Sequence, residues 1–157
     1  MKKIVLFIIV VLIISFSGYI IYIKTNKTGR LEIQKEDVRI LSPKDLNPKS
    51  FITLFKKKYN KDSKLNFVTM NGDFPENWVK PEDVQYLISI MNSKEKCCGF
   101  MHFYSSFISD DNAEVGGFAI IFLNSYISKT KINLGLNSNP KTDADSIKKI
   151  ETWYQTK

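Results

Sequence analysis

The chain has 157 residues, enough for one domain of ordinary size, and a formal net charge of +7. The charge is unevenly divided, because residues 24–64 contain 12 Lys and Arg against 5 acidic residues, whereas residues 65–157 contain 9 against 11. Most of the chain is therefore slightly acidic, and lysine outnumbers arginine 21 to 2, which argues against nucleic acid as a partner.

Residues 4–23, IVLFIIVVLIISFSGYIIYI, form an apolar run without a charged residue. At about 1.5 Å per helical residue the run reaches roughly 30 Å, the thickness of the hydrocarbon core of a bilayer. A cleavable signal peptide is the alternative, because Lys2 and Lys3 precede the run and small residues lie near Gly18. The run resumes after Gly18 with two tyrosines, which favours a retained helix. We therefore predict a transmembrane anchor over residues 1–24 that contacts membrane lipid through residues 4–23.

Residues 25–47 are predicted to be a basic juxtamembrane linker, solvated in water, with contact to anionic lipid as the alternative. Basic residues flank the anchor on both sides, so their balance hardly decides its orientation. A short basic start before a single early span is typical of bacterial proteins whose bulk lies outside the cytoplasm. We expect a single-pass protein of the bacterial cell membrane with an extracytoplasmic domain over residues 48–157.

The first helix of that domain is predicted in NPKSFITLFKKKYN, with Asn47 as cap and Pro48 in the first turn. Residues 65–70 are short and β-prone. The loop NGDFPENW follows, and we expect Phe74 and Trp78 to hold it to the core.

A second helix is predicted from Pro81 to about Asn92, because apolar residues recur there every three or four positions. The segment CCGFMHFYSSFI is predicted to be another helix, since its aromatic residues share that spacing. The apolar run from Val115 to Ile127 predicts a central buried helix, and Gly116 and Gly117 near its start suggest close contact with another helix.

The last helix is predicted in TDADSIKKIETWYQ, where Thr142 and Asp145 have the spacing of a capping box. Together the patterns predict a mainly α protein. An N-terminal transmembrane helix is followed by a small helical domain of four or five helices.

The stretch KEKCCGFMH contains both cysteines, Cys97 and Cys98, and the single histidine, His102. On a helix Cys98 and His102 would share a face at ligand spacing, but structural zinc relies on four ligands and the chain has no further Cys or His. We therefore predict no metal and no cofactor. The apolar neighbours of the cysteines instead predict buried, inert thiols, and adjacent cysteines would close only a small, strained disulfide ring.

A hydrolase remains the alternative for the same region. If the protein is an enzyme, the candidate nucleophiles are Cys97, Cys98, Ser105 and Ser106, with His102 as the base. These residues cluster within ten positions, but the sequence does not indicate a third group that would orient the histidine.

Several stretches together resemble a family of small bacterial proteins of unknown function: GDFPENWVKPEDVQYLI, the Ser105–Ser106 pair, GGFAI, NSYI and IKKIETWY. The resemblance covers about residues 65–155. It implies a mainly helical domain and brings no assigned activity. It singles out a set of candidate structural or functional positions, namely Trp78, Asp83, Ser105, Ser106, Gly116, Gly117 and Trp153.

The sequence thus predicts a single-pass membrane protein whose domain binds another protein without catalysis. The membrane-tethered hydrolase is one alternative. A bacterial immunity factor that blocks a toxin is a second alternative, based on size and anchor alone.

Overall fold

The structure is a computed structural model that describes residues 41–156. The predicted transmembrane anchor and residues 25–40 of the predicted linker lie outside the described residues. Within residues 41–156, none of the helices has both the length and the apolar character needed to cross a bilayer.

The described part of the chain contains a short 3-10 helix (Pro43–Asp45), four α-helices and five short strands. The helices are α1 (Pro48–Lys58), α2 (Pro81–Ile90), α3 (Val115–Ser128) and α4 (Ala144–Gln155). The strands are β1 (Phe67–Met70), β2 (Lys96–Cys97), β3 (Gly99–His102), β4 (Ala113–Glu114) and β5 (Asn137–Ser138). The prediction of a mainly α domain is therefore wrong, and the fold is α/β.

The strands form two sheets. In the first, β3 lies between β1, to which it is parallel, and β5, to which it is antiparallel. The parallel pair needs a crossover connection, which α2 supplies. The second sheet is the antiparallel pair of β2 and β4. Because β1 and β3 run in the same direction, Met70 and His102 end at the same edge of the first sheet.

The predicted start of α1 is confirmed. The side-chain oxygen of Asn47 accepts a hydrogen bond of 2.8 Å from the backbone N–H of Ser50, and the Ser50 hydroxyl accepts one of 2.9 Å from the N–H of Asn47. The capping box predicted at Thr142 is wrong. Asp143 caps α4 through Ser146, while Thr142 donates hydrogen bonds to Glu114.

The helix predicted over CCGFMHFYSSFI is also wrong, because this segment forms β2, β3 and the loop that follows. Aromatic residues are common in strands and also on the apolar faces of helices, so their presence does not distinguish the two structures. Here the segment is a strand because it pairs with β1. A side chain at Gly99 has no room in the strand, since a Cβ there would lie 1.8 Å from Asn139 Oδ1. The aromatic residues with helical spacing, Phe103, Tyr104 and Phe107, are exposed and do not form one buried face.

A cluster of aromatic rings within the core joins α1, α3 and the loop before α2. Phe51 stacks on Phe55 with ring centroids 3.9 Å apart, and Trp78 meets Phe122 edge-on at 5.0 Å. The predicted role of Trp78 in holding its loop is confirmed, since its side chain is buried. Helix α3 is the central buried helix that the apolar run predicts.

The glycines at the start of α3 allow the close packing that the sequence predicts. A Cβ at Gly116 would lie 2.4 Å from the carbonyl oxygen of Met91 at the end of α2. A Cβ at Gly117 would lie 2.5 Å from the carbonyl oxygen of Pro140, in the loop before α4. Gly116 therefore contacts the end of another helix, as predicted, whereas Gly117 contacts a loop.

Candidate functional site

Cys97 and Cys98 are buried, as their apolar neighbours predict, and each is only 1% exposed. Burial raises the pKa of the Cys97 thiol to about 12 and that of the Cys98 thiol to about 11. Since the thiolate is the nucleophile, both side chains are poor nucleophiles at neutral pH.

His102 does not lie beside Cys98, as it would if the segment were helical. Residues 99–102 form a strand, and four residues in extended conformation span about 13 Å, so Cys98 and His102 lie far apart along the chain direction. The Nδ1 atom of His102 instead accepts a hydrogen bond of 3.3 Å from the backbone N–H of Tyr104. The arrangement gives no support to a Cys–His dyad.

Ser105 has a structural arrangement of hydrogen bonds. Its hydroxyl donates to the carbonyl oxygen of Phe107 at 3.0 Å and accepts from the N–H of the same residue at 3.3 Å. It also accepts a hydrogen bond of 2.7 Å from Asn137 Nδ2 in β5. Ser106 is exposed. The loop after β3 is thus fastened to β5 through Ser105.

Trp78 and Asp83 also have structural partners. The indole Nε1 of Trp78 donates to the carbonyl oxygens of Pro43 at 2.9 Å and Leu46 at 2.7 Å, which holds residues 43–46 on the domain. The carboxylate of Asp83 accepts a hydrogen bond of 2.9 Å from the backbone N–H of Lys80, at the start of α2.

Trp153 lines a partly open cavity of about 620 Å³, here called the Trp153 cavity. The start of α2 and the ends of α3 and α4 surround it. Tyr126 forms a second aromatic wall, with its ring centroid 6.0 Å from that of Trp153. Lys80 and Lys129 also line it, and no acidic residue does so within the part of the chain that the structure describes.

Two residues of this lining adopt a left-handed backbone. Asn77 has φ 51° and Lys129 has φ 54°, and they are the non-glycine residues with positive φ among residues 41–156. Asparagine tolerates this conformation, whereas a lysine in it costs about 1 kcal/mol or more. Lys129 ends α3 in this conformation and lies in the cavity wall.

Large apolar side chains are exposed around the end of β3. Phe103 is 51% exposed, Tyr104 74%, Phe107 66%, Ile108 50% and Leu136 57%. Leu136 lies beside them because its carbonyl oxygen accepts a hydrogen bond of 2.8 Å from the N–H of His102. These five residues are called the apolar tip. Monomeric proteins rarely expose such clusters unless the surface binds something.

Four of these residues, Phe103, Tyr104, Phe107 and Ile108, lie in the segment whose spacing predicts a helix. Two serines inside the segment and the acidic and amide residues after it are typical of a loop, and they are the signal that could have indicated exposure. The Trp153 cavity had no sequence signal, because its lining comes from three segments that are far apart in the sequence.

No family model, curated protein or solved structure matches the chain. The resemblance to a bacterial family stays a prediction, and the candidate sites depend on the geometry described above.

Proposed function

We propose that the protein is a membrane-tethered binding module without catalytic activity. Its Trp153 cavity receives an acidic segment of a partner protein. The observation that carries the proposal is the lining of this cavity, which combines two aromatic rings and two lysines without an acidic residue in the described part of the chain. The tether is the apolar run of residues 4–23.

The chemistry of the cavity suits recognition. Aromatic walls offer apolar area with little rotamer entropy to lose, while cations at a partly open rim attract carboxylates from a distance. Ser125 and Thr130 add hydroxyl groups to the wall. A peptide segment with acidic and apolar residues is complementary to each of these features.

The buried thiols support a role without catalysis. A nucleophile must reach its substrate and its base, and Cys97 and Cys98 are covered while His102 is engaged by the backbone of Tyr104. Ser105 is occupied by the loop that it fastens.

The test is a titration of the full chain, held in lipid nanodiscs, with a fluorescein-labelled decapeptide of alternating Glu and Leu. We expect binding that weakens with salt, and about two- to fivefold weaker binding in each of Lys80→Gln and Lys129→Gln, the range of a partly exposed ion pair. Lys148→Gln is the matched control, because Lys148 is exposed on α4 and does not line the cavity.

Two further probes separate the possible ligands. A decapeptide of Gln and Leu keeps the apolar residues without the charges, and succinate keeps two carboxylates without the peptide. Binding of the Gln peptide equal to that of the Glu peptide would overturn the charge argument. Competition by succinate at the concentration that displaces the peptide would indicate a small-molecule site and refute the protein partner.

A further inference from the structure

We infer that the apolar tip contacts the lipid surface of the membrane to which the domain is tethered. The tip is Phe103, Tyr104, Phe107, Ile108 and Leu136, and it docks into the interfacial region of the bilayer. This inference uses the tether of the proposed function but concerns a different surface from the Trp153 cavity.

The described chain enters the domain beside the end of β1. The carbonyl oxygen of Leu41 accepts a hydrogen bond of 2.8 Å from the N–H of Asn71, the residue directly after β1. The carbonyl oxygen of the neighbouring Met70 accepts one of 2.8 Å from the N–H of Phe103, the first residue of the tip. Leu41 and the tip therefore lie at the same edge of the sheet.

A tether would hold the domain at the point where the chain enters it. The tether precedes Leu41 in the sequence, so the edge of the sheet at which the chain enters is the edge nearest the anchor along the chain. Residues 24–40, even fully extended, reach no more than about 60 Å. The tip is thus held close to lipid at a high effective concentration.

The side chains of the tip suit the interface between water and lipid. Aromatic residues with aliphatic neighbours are the side chains that settle in the interfacial region of a bilayer. Phe103 and Tyr104 already pack edge-on, with ring centroids 5.5 Å apart, and Ser105 holds the loop in shape. The hydroxyl of an exposed tyrosine can stay among headgroups while its ring is buried.

The charged residues around the tip do not form a basic surface. Asp73, which follows β1, pairs with Lys131 at 2.9 Å, and Asp111, which follows the loop, pairs with Lys141 at 3.0 Å. These two pairs neutralise Asp73 and Asp111, whereas the exposed Asp110 beside the tip has no ion pair among residues 41–156, and no lysine occurs in residues 97–128 or 132–140. Docking is therefore driven by apolar burial, and we expect it on zwitterionic as well as anionic lipid, with little dependence on salt.

The experiment uses the full chain reconstituted in phosphatidylcholine vesicles with brominated acyl chains as quenchers. An environment-sensitive nitrobenzoxadiazole label is placed on Ile108→Cys and, separately, on Leu65→Cys. Leu65 is the matched control, because it is also 50% exposed and precedes β1 at the opposite edge of the sheet. The unsubstituted chain checks that the buried native cysteines stay unlabelled.

Flotation of the vesicles first shows whether the chain is anchored in them. With the chain floating, we expect at least about twofold quenching at residue 108, and none at residue 65, as for a group that sits among acyl chains. Equal quenching at both positions, or none at residue 108, overturns the inference while the tether stands. A blue shift at residue 108 that depends on protein density, without quenching, shows a second copy on the tip and overturns it as well. A chain that does not float refutes the tether, and the lipid contact with it.

Discussion

The Nδ2 amide of Asn137 donates a hydrogen bond of 2.7 Å to the hydroxyl of Ser105. This bond joins the short strand β5 to the loop that presents the apolar tip. The same hydroxyl closes a small turn with Phe107. Ser105, a candidate nucleophile in the sequence, therefore has a structural role in the loop.

Replacing Ser105 with alanine should loosen the loop and lower the free energy of unfolding by about 1–2 kcal/mol, since the amide of Asn137 loses its partner. Hydrogen exchange of residues 103–110 and urea denaturation check this. Ser106→Ala is the control, because Ser106 is exposed and its replacement should change stability by no more than about 0.5 kcal/mol. Equal effects of the two substitutions would refute the fastening role.

The native cysteines should react with a maleimide only after denaturation. Burial raises the pKa of both thiols, so the fraction of thiolate at neutral pH is lower than for a thiol with the ordinary value of 9.0. A mass shift measured on the full chain before and after denaturant reports the number of labelled sites.

Ser106→Cys supplies the positive control for that measurement. Residue 106 is exposed in the loop, so its thiol should label quickly in the native protein while Cys97 and Cys98 stay protected. Rapid labelling of the unsubstituted protein would contradict this prediction and show that the region around β2 opens. It would also make Cys97 and Cys98 candidate nucleophiles again.

Local signals correctly predicted the ends and faces of several elements. Asn47 and Pro48 indicate the start of α1, and the long apolar run indicates α3, because capping residues and apolar runs are patterns of neighbours in sequence. The β-prone residues 65–70 correctly predicted β1, but the other strands could not be found in this way. Residues 99–102 become a strand through pairing with residues 67–70 and 137–138, both more than thirty positions away.

In the candidate sites, too, features set by neighbours in sequence could be predicted, whereas features set by tertiary contacts could not. The burial of Cys97 and Cys98 follows from their apolar neighbours, so sequence alone predicts it. The exposure of Phe107 is harder to predict, because an apolar residue is assigned to the core by default and only the polar residues around it indicate a loop. The Trp153 cavity needs three helix ends to meet, which no local pattern encodes.

Gly117→Ala should destabilise the protein even though alanine is the better helix former. The new Cβ would lie 2.5 Å from the carbonyl oxygen of Pro140, so the loop before α4 must move, at a cost of about 1–3 kcal/mol. Urea denaturation measures the change. Asn124→Ala, at an exposed position of the same helix, is the control and should be neutral or slightly stabilising. A stabilising Gly117→Ala would show that the loop yields freely.

The contact between Glu114 and Thr142 should make stability depend on pH. The Thr142 hydroxyl and backbone N–H both donate to the Glu114 carboxylate, and these hydrogen bonds hold its pKa below the ordinary value of 4.5. A lowered pKa in the folded state means that the stabilisation is present above pH 4.5 and is lost as the pH falls through the folded pKa.

Thr142→Val removes the hydroxyl and should therefore reduce the loss of stability between pH 7 and pH values below 4.5. The free energy of unfolding, measured in urea at several pH values, tests this, and a carboxyl titration by NMR should show the pKa of Glu114 rising. Thr152→Val is the control, since the Thr152 hydroxyl donates only to the Lys148 carbonyl oxygen within α4. Other acidic residues with lowered pKa values, such as Asp73 and Asp111, are common to all three proteins and cancel in the comparison. An unchanged pH dependence in Thr142→Val would show that the contact does not contribute to acid sensitivity.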